Sequence, residues 1–579
     1  MPRMFSPRFT RLASTAMLLV ASSLTCSADK SSGPNEVIAW VRASAMPLAT
    51  ERAGSGFDDL APLGDRLGPA RIVSLGEPTH GSREVFEMKH RLVEYLATEL
   101  GFSLFAIEAN MPEAQRLNDY VLGGPGDAAE LIRGMYFWTW STEEVRALVE
   151  WMRRFNTDPA NRPRGRKIEF TGFDMQAPAT PAAIARDYAA AHLPGSLPMF
   201  ESAQRALTEA TGPAFSTAVG TFPIELVRGR RIVFSGWMKT DDVRGWAGLW
   251  WRADTAEKHS AAFDNMANRG PRGTTPWRRY EVALDIPEDA RNVNFGTLLS
   301  GRGRAWFDDL AVTIDGVAYD PTGHFDFGFE AEPIRGFAVR DRKDDEITLD
   351  DERRQGAKSL RITRLEPRDT HEDLHAQWTA CAEAIRTHSV GDVSEQQAWA
   401  LQMAQLVIQN LDTRLKRRTR DACMADNVRW LAGRDPARKI ILWAHNGHIS
   451  RASGLMGAHL DQAFGVAHVV VGFATARGDY RAMGRNPARL GVFPLTPPEA
   501  HAVEGVFAAT GLSRFVIDLR PARAVDAPAA AAWFAEPRPF RSIGAGEMAR
   551  QFRDTAVARD YDLLVYLDET HATVPLPPR

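Results

Sequence analysis

Apolar residues along this chain fall into short runs that end on charged or imidazole side chains. The run Ile72 to Leu75 is followed by Gly76-Glu77-Pro78-Thr79-His80-Gly81. From Ser82 to Leu100 the apolar positions Val85, Met88, Leu92 and Leu96 follow the spacing of one buried helical face, and Gly101 stands where that helix should stop. Phe102 to Ile107 is a second strand-like run and ends on Glu108. A strand, a helix and a strand in this order predict a right-handed crossover between parallel strands. Glu77, His80 and Glu108 are then expected at one carboxyl edge, where open α/β sheets bind ligands.

The same texture recurs. Glu36 to Ala45 reads as a helix. Met135 to Trp140 leads through Ser141-Thr142-Glu143-Glu144 into an amphipathic helix carrying Leu148, Trp151 and Met152, and its aromatics weigh more as core and cap than as a cofactor box. Lys167 to Phe173 is a strand ending on Asp174. Helical spacing returns from Asp373 to Arg429, and the strand Lys439 to Trp443 ends on Ala444-His445-Asn446-Gly447-His448. Further strands are predicted at Val469 to Phe473, Phe515 to Leu519 and Leu563 to Leu567.

Between Gly212 and Arg368 the pattern changes to short alternating runs: Arg231 to Lys239, Trp277 to Leu284, Val293 to Leu299, Ala305 to Val312 and Ser359 to Thr363. The expected fold class is therefore α/β, a mostly parallel sheet with flanking helices, interrupted by an all-β, jelly-roll-like sandwich. The expected organisation is a signal segment at 1–28, the first part of the α/β domain at 36–211, the insert at 212–368 and the second part at 369–579.

Composition narrows the partners. The chain has 579 residues, 44% hydrophobic and 25% charged, with a formal net charge of -3. That balance suits a globular protein and gives no basic footprint for nucleic acid. Arg3, Arg8 and Arg11 precede the apolar run Ala13 to Ala21, and Cys26-Ser27-Ala28 supplies small residues for cleavage, the pattern of an export signal. A periplasmic or extracellular location is expected. Lipoprotein anchoring through Cys26 is the weaker reading, because Leu24 stands one place too close to the cysteine. No other run is apolar over the roughly 20 residues a spanning helix needs. Three cysteines are too few for a disulfide framework.

The chemistry follows from what is missing and what clusters. No Gly-x-Ser-x-Gly elbow occurs, which argues against an activated serine of that type. Water deprotonated by a histidine, oriented by a carboxylate and helped by a second cationic group is the alternative, and Glu77, His80, Glu108, His445 and His448 supply that set if their strands are neighbours. Taken singly, a histidine or carboxylate at a strand end is more often a satisfied polar group or a cap. Two motifs compete. His371-Glu372-Asp373-Leu374-His375 matches the zinc-protease pattern but follows Pro367-Arg368-Asp369-Thr370, so it reads better as a helix start. Gly124-Pro125-Gly126-Asp127-Ala128-Ala129 imitates a dinucleotide fingerprint, yet it contains a proline and lacks a preceding strand.

Gly76 to Gly81 with Glu84, Ala106-Ile107-Glu108 and Trp443 to His448 resemble the erythromycin esterase family in three separated places and in order. The resemblance extends through Phe137 to Trp151, Gly172-Phe173-Asp174-Met175, Arg420-Asp421-x-x-Met424, Gly472-Phe473 and Arg541-Ser542-Ile543-Gly544. It implies a hydrolase opening a carboxylic ester or lactone, macrolides among the substrates of some members. It also implies His80 as general base, Glu77 as its support, and Glu108, His445 and His448 lining the same cleft. Lys89 falls where the family places a basic residue. Glu84, Asp174, Arg420 and Asn446 lie in the matched segments as substrate-binding or supporting residues. No cofactor is expected, although the five central side chains are also metal-ligand types and a divalent metal in the same cleft is the alternative. The insert's phrases Phe234 to Thr240 and Trp306 to Leu310 resemble jelly-roll carbohydrate-binding modules, which implies a glycan partner beside the small-molecule substrate. Its tryptophans weigh more as packing than as a sugar platform. A glycan-binding envelope protein with an idle α/β part is the reading from a different class.

Overall fold

Strands that are apolar at nearly every position can be buried on both faces, and Ile72–Leu75, Leu104–Asn110 and Ile440–Trp443 bury every residue. The computed structural model describes residues 33–160, 167–211, 215–255, 260–339, 345–364, 370–388, 394–484 and 489–577. In chain order its central sheet contains Met46–Pro47 (β1), Ile72–Leu75 (β2), Leu104–Asn110 (β3), Glu169–Asp174 (β4), Ile440–Trp443 (β5), His468–Met483 (β6), Arg514–Asp518 (β7) and Leu563–Thr570 (β8). The spatial order is β1-β7-β8-β6-β2-β5-β3-β4, with Leu490–Pro494 paired to the far half of β6. From β8 to β4 all neighbours run parallel, while β7 is antiparallel to both β1 and β8.

Alternate side chains divide between two cores. Ile72, Leu104, Ala106, Ile440 and Leu442 pack on one face. Val73, Leu75, Phe105, Ile107, Ile441 and Trp443 pack on the other.

Strands β2 and β3 run parallel in one sheet, as the crossover predicts, and β5 from the distant second half lies between them with Leu75, Trp443 and Ile107 in register. The strand ends still share one edge, and the inserted strand carries the histidine pair to its middle.

The helix after β2, Arg83–Thr98 (α1), buries Val85, Met88, Leu92 and Leu96 as its spacing predicts, and Lys89 as well. Gly101 then turns the chain at φ 72°, a conformation that costs glycine no side-chain clash. Glu143–Thr157 (α2) starts where the Thr142 hydroxyl accepts the Val145 N–H at 3.3 Å. Three later helices frame the site: Arg420–Arg434 (α3), Asn446–Ile449 (α4) and Met456–Phe464 (α5).

Between Phe215 and Arg364 the chain forms two antiparallel sheets. They share one core, in which Phe234, Met238 and Phe307 of one sheet meet Trp251 and Phe295 of the other. The alternation did not reveal Phe215–Thr221, Trp246–Thr255 or Asp345–Asp350. The second of these buries consecutive residues from Ala247 to Trp251 instead of every other one, so it lacks the two-residue period. Trp237, Trp246, Trp250, Trp251, Trp277 and Trp306 are all buried or half-buried. The signal segment 1–28, Cys26 included, and the expected boundaries at 212 and 368 lie outside the described residues. Among the described residues no helix is long and apolar enough to cross a membrane.

Candidate functional site

At the carboxyl end of β2 the chain turns through Gly76 to Gly81, and both glycines are required by close approach. A Cβ on Gly76 would lie 2.1 Å from Asn446 Oδ1, and one on Gly81 would lie 2.1 Å from the Arg481 carbonyl. Pinned in this way, the turn presents two side chains to each other. Glu77 Oε1 is 2.7 Å from His80 Nδ1 and Glu77 Oε2 is 2.6 Å from Lys89 Nζ. Glu77 and Lys89 are fully buried, whereas the His80 side chain keeps 11% exposure. Burial works against the Glu77 charge, but Lys89 and His80 outweigh it and hold the carboxyl below its ordinary value. Burial draws Lys89 down to about 8 even though Glu77 supports its charge. The ammonium also stands 4.0 Å from the centre of the Trp443 ring.

An ionised Glu77 can only accept, so Nδ1 carries the N–H of that bond, and in the neutral ring the lone pair is on Nε2. Among the described residues Nε2 has no hydrogen-bond partner. Trp140 packs edge-on against the His80 ring at 5.9 Å and donates its indole N–H to the Glu108 carbonyl at 3.0 Å. Of the run before α2, Met135 and Trp140 are core, Phe137 and Trp138 are half-buried and Tyr136 is exposed, and the Trp140 ring is the wall beside His80.

His445 lies next to this pair, 5.1 Å from His80 between ring centres. Its Nε2 faces the Ile543 carbonyl at 3.0 Å and its Nδ1 accepts the Gly447 N–H at 3.0 Å. A carbonyl cannot donate, so the ring is neutral with its proton on Nε2, and both nitrogens are in use. Burial, followed by the charges of His80 and His448, draws it down to about 3. Ile543 also donates its N–H to Pro78 O at 2.8 Å, and Asn446 N–H donates to Glu77 O at 2.9 Å. The three strand-end segments are thereby stitched together.

On the far side of His445, Glu108 accepts the His445 N–H at 3.0 Å with one oxygen and Arg420 Nη2 at 2.8 Å with the other. Arg420 also binds Asp174 through Nη2 at 2.7 Å and Nε at 3.1 Å. Burial opposes the charge on Glu108, yet His448 and Arg420 hold it well below the ordinary range. His448 places Nδ1 2.8 Å from Asp421 Oδ1 and Nε2 3.3 Å from Glu108 Oε1. Burial disfavours its charge, but Glu108 and Asp421 raise it to about 10.

The geometry thus brings Glu77, His80, Lys89, Glu108, Asp174, Arg420, His445 and His448 into one cluster. Asn446 is beside it as a brace, exchanging two hydrogen bonds with the Phe473 backbone at 2.8 and 3.1 Å. Glu84 points elsewhere, to His571 N at 2.6 Å, His571 Nδ1 at 2.9 Å and Thr570 Oγ1 at 3.0 Å. The zinc-protease lookalike is a helix start in a Thr370–Asp373 capping box, with His375 bound to Asp412 at 3.1 Å. Gly124 to Asp127 is a loop leading into Ala128–Arg133.

The family model for erythromycin esterase matches residues 97–222 and 338–570, more than half of the chain. The chain belongs to the erythromycin esterase family. Within that family's curated relatives, erythromycin esterase type II of Escherichia coli is 29% identical over 138 residues, 24% of this chain and 31% of that protein. An uncharacterized HTH-type transcriptional regulator, YbfP of Bacillus subtilis (strain 168), is 40% identical over 96 residues, 17% of this chain and 32% of that protein. The matched stretches therefore span about a third of each relative. A solved Bacillus cereus protein shares the fold at TM-score 0.59 and 19% identity, covering 94% of this chain and 99% of its own. Membership of the erythromycin esterase family supports hydrolase chemistry.

Sequence reasoning assigned no role to three participants: Asp421, the Trp140 ring and the Ile543 carbonyl. Asp421 and Ile543 fall in the Arg420-Asp421 and Arg541 to Gly544 phrases, which were signals of a place without a function. A backbone carbonyl acceptor has no signature in residue type.

Proposed function

We propose that this chain hydrolyses a carboxylic ester or lactone with water activated at His80 Nε2. The observation that carries the reading is the Glu77–His80 pair, whose imidazole has an unengaged nitrogen among the described residues, in a cluster that also holds the Arg420–His448 pair on the other side of His445. His80 takes a proton as water adds to the carbonyl carbon, and Glu77 supports the resulting imidazolium. Arg420 and His448 stabilise the oxyanion. The fixed, neutral His445 separates the basic and cationic sides. No role is assigned to the insert, whose tryptophans are packed.

We also propose export, on the basis of the amino-terminal pattern of arginines, apolar run and small residues. The deciding experiment is an ester and lactone panel, macrolides included, run on the purified protein and on His80→Ala. Turnover that disappears with His80→Ala in a folded protein supports the reading. Absence of turnover on the whole panel, or turnover that persists in the variant, overturns it.

A further inference from the structure

The two working histidines of the cluster are built alike. His80 gives Nδ1 to Glu77 and leaves Nε2 without a partner among the described residues, and His448 gives Nδ1 to Asp421 at 2.8 Å. The Asp421 oxygen that receives it also accepts the Met456 N–H at 3.0 Å. This ties the first turn of α3 to the start of α5 and fixes the carboxylate from two sides. Around His448 Nε2 the chain has placed a partner for each protonation state: Glu108 Oε1 at 3.3 Å can accept from an N–H, and Arg420 Nη1 at 3.1 Å can donate to a lone pair. Nδ1–H remains with Asp421 in both states, so only the Nε2 proton is free to come and go.

We infer that Asp421 is a positioning residue that fixes the His448 tautomer and rotamer so that Nε2 is the nitrogen exchanging a proton during turnover. The inference rests on the hydrolase reading proposed above. In the collapse of the tetrahedral intermediate the bond between the acyl carbon and the leaving oxygen breaks, and that oxygen takes the Nε2 proton from His448. Water's first proton went to His80. The acid product ionises, His448 regains a proton from solvent and His80 releases its own, leaving carboxylate, alcohol and one proton. The groups facing His448 are Glu108 on β3, Arg420 and Asp421 on α3, and His445 at the head of its own short helix. Asp174 reaches it only through Arg420.

The test is Asp421→Asn in the full-length chain, since asparagine keeps an oxygen for the Met456 N–H while losing the charge. Two readouts are needed. The first is hydrolysis of an alkyl ester against a p-nitrophenyl ester of the same acid. An alkoxide needs a proton to leave and a nitrophenolate does not, so the alkyl ester should lose at least about tenfold more kcat. The second is ¹⁵N-histidine titration of the folded variant, in which the His448 midpoint should fall by at least about one pH unit. Equal losses on both esters, or an unmoved His448 titration, overturn the inference. Asp421→Glu, which keeps the carboxylate, should recover part of the alkyl-ester rate, and a dead but folded Asp421→Glu with an unmoved titration would count against it. If the wild type turns over no ester, the hydrolase reading fails, while the titration still reports whether Asp421 governs His448.

Discussion

Lys89 Nζ lies 2.6 Å from Glu77 Oε2, and neither side chain is exposed. The pair is a buried ion pair whose acid also serves His80, so a single substitution has two separable effects. Glu77→Gln removes the charge that keeps the His80 proton on Nδ1 and should lower kcat/KM by about 100-fold or more. It also strands a buried ammonium, which should destabilise the fold by about 3–5 kcal/mol. Glu77→Gln with Lys89→Met should regain most of that stability in urea unfolding and none of the activity. Recovery of activity in the double variant would show that Glu77 acts only through packing.

How much of this site was legible depends on where each contact comes from. The run Ile72 to Leu75, its acid and its imidazole are local, and the helix of Val85, Met88, Leu92 and Leu96 is written in its spacing, so both were readable. Placement of β5 between β2 and β3 was not, because nothing local in Ile440 to Trp443 names partners more than 300 residues away. Burial of Lys89 was hidden for a related reason: nearly two turns of helix place a lysine near Glu77, but only the Trp443 ring and the closed sheet edge remove it from water. The insert's core strands were partly legible where side chains alternate, and lost at Trp246–Thr255, where they do not.

His445 should behave as a brace. Both of its nitrogens are bound, to Gly447 and Ile543, and burial keeps the ring neutral down to about 3. His445→Asn can keep an acceptor for the Gly447 N–H but abandons the Ile543 carbonyl, a buried acceptor whose loss costs about 1–3 kcal/mol. The expected outcome is a lower melting temperature and lower kcat, with the midpoints of the pH–rate profile unmoved. A shifted midpoint would assign His445 a proton-transfer role.

Chelation should leave turnover unchanged. Catalytic zinc sites use about three protein ligands. Here the donors are taken: Glu77 by His80 and Lys89, Glu108 by Arg420 and the His445 N–H, and His445 by two backbone groups. His80 Nε2 is the one ring nitrogen of the cluster without a partner among the described residues. Dialysis against EDTA should keep kcat/KM within about twofold. Loss of activity that returns with added zinc or manganese would replace this reading with the metal-dependent alternative.

The Glu108–His448 pair should leave a mark on stability against pH. His448 is raised in the fold from 6.5 to about 10, so it binds its proton more tightly folded than unfolded. Its contribution is complete below about 6.5 and is lost as the pH climbs towards about 10. Glu108 works in the opposite sense. Held below 4.5 in the fold, it contributes above that value and is lost as acid protonates it. The two are partners, so they titrate as a coupled unit and their contributions are not summed. His448→Gln removes the titrating ring while keeping a polar side chain. The gap in unfolding free energy between wild type and variant should be widest between about pH 5 and 6.5, and should narrow as the pH rises to about 10. Urea unfolding at matched ionic strength measures it. A gap that stays constant over that range would mean that the imidazolium does not form in the folded protein, and that His448 stands neutral between Asp421 and Arg420.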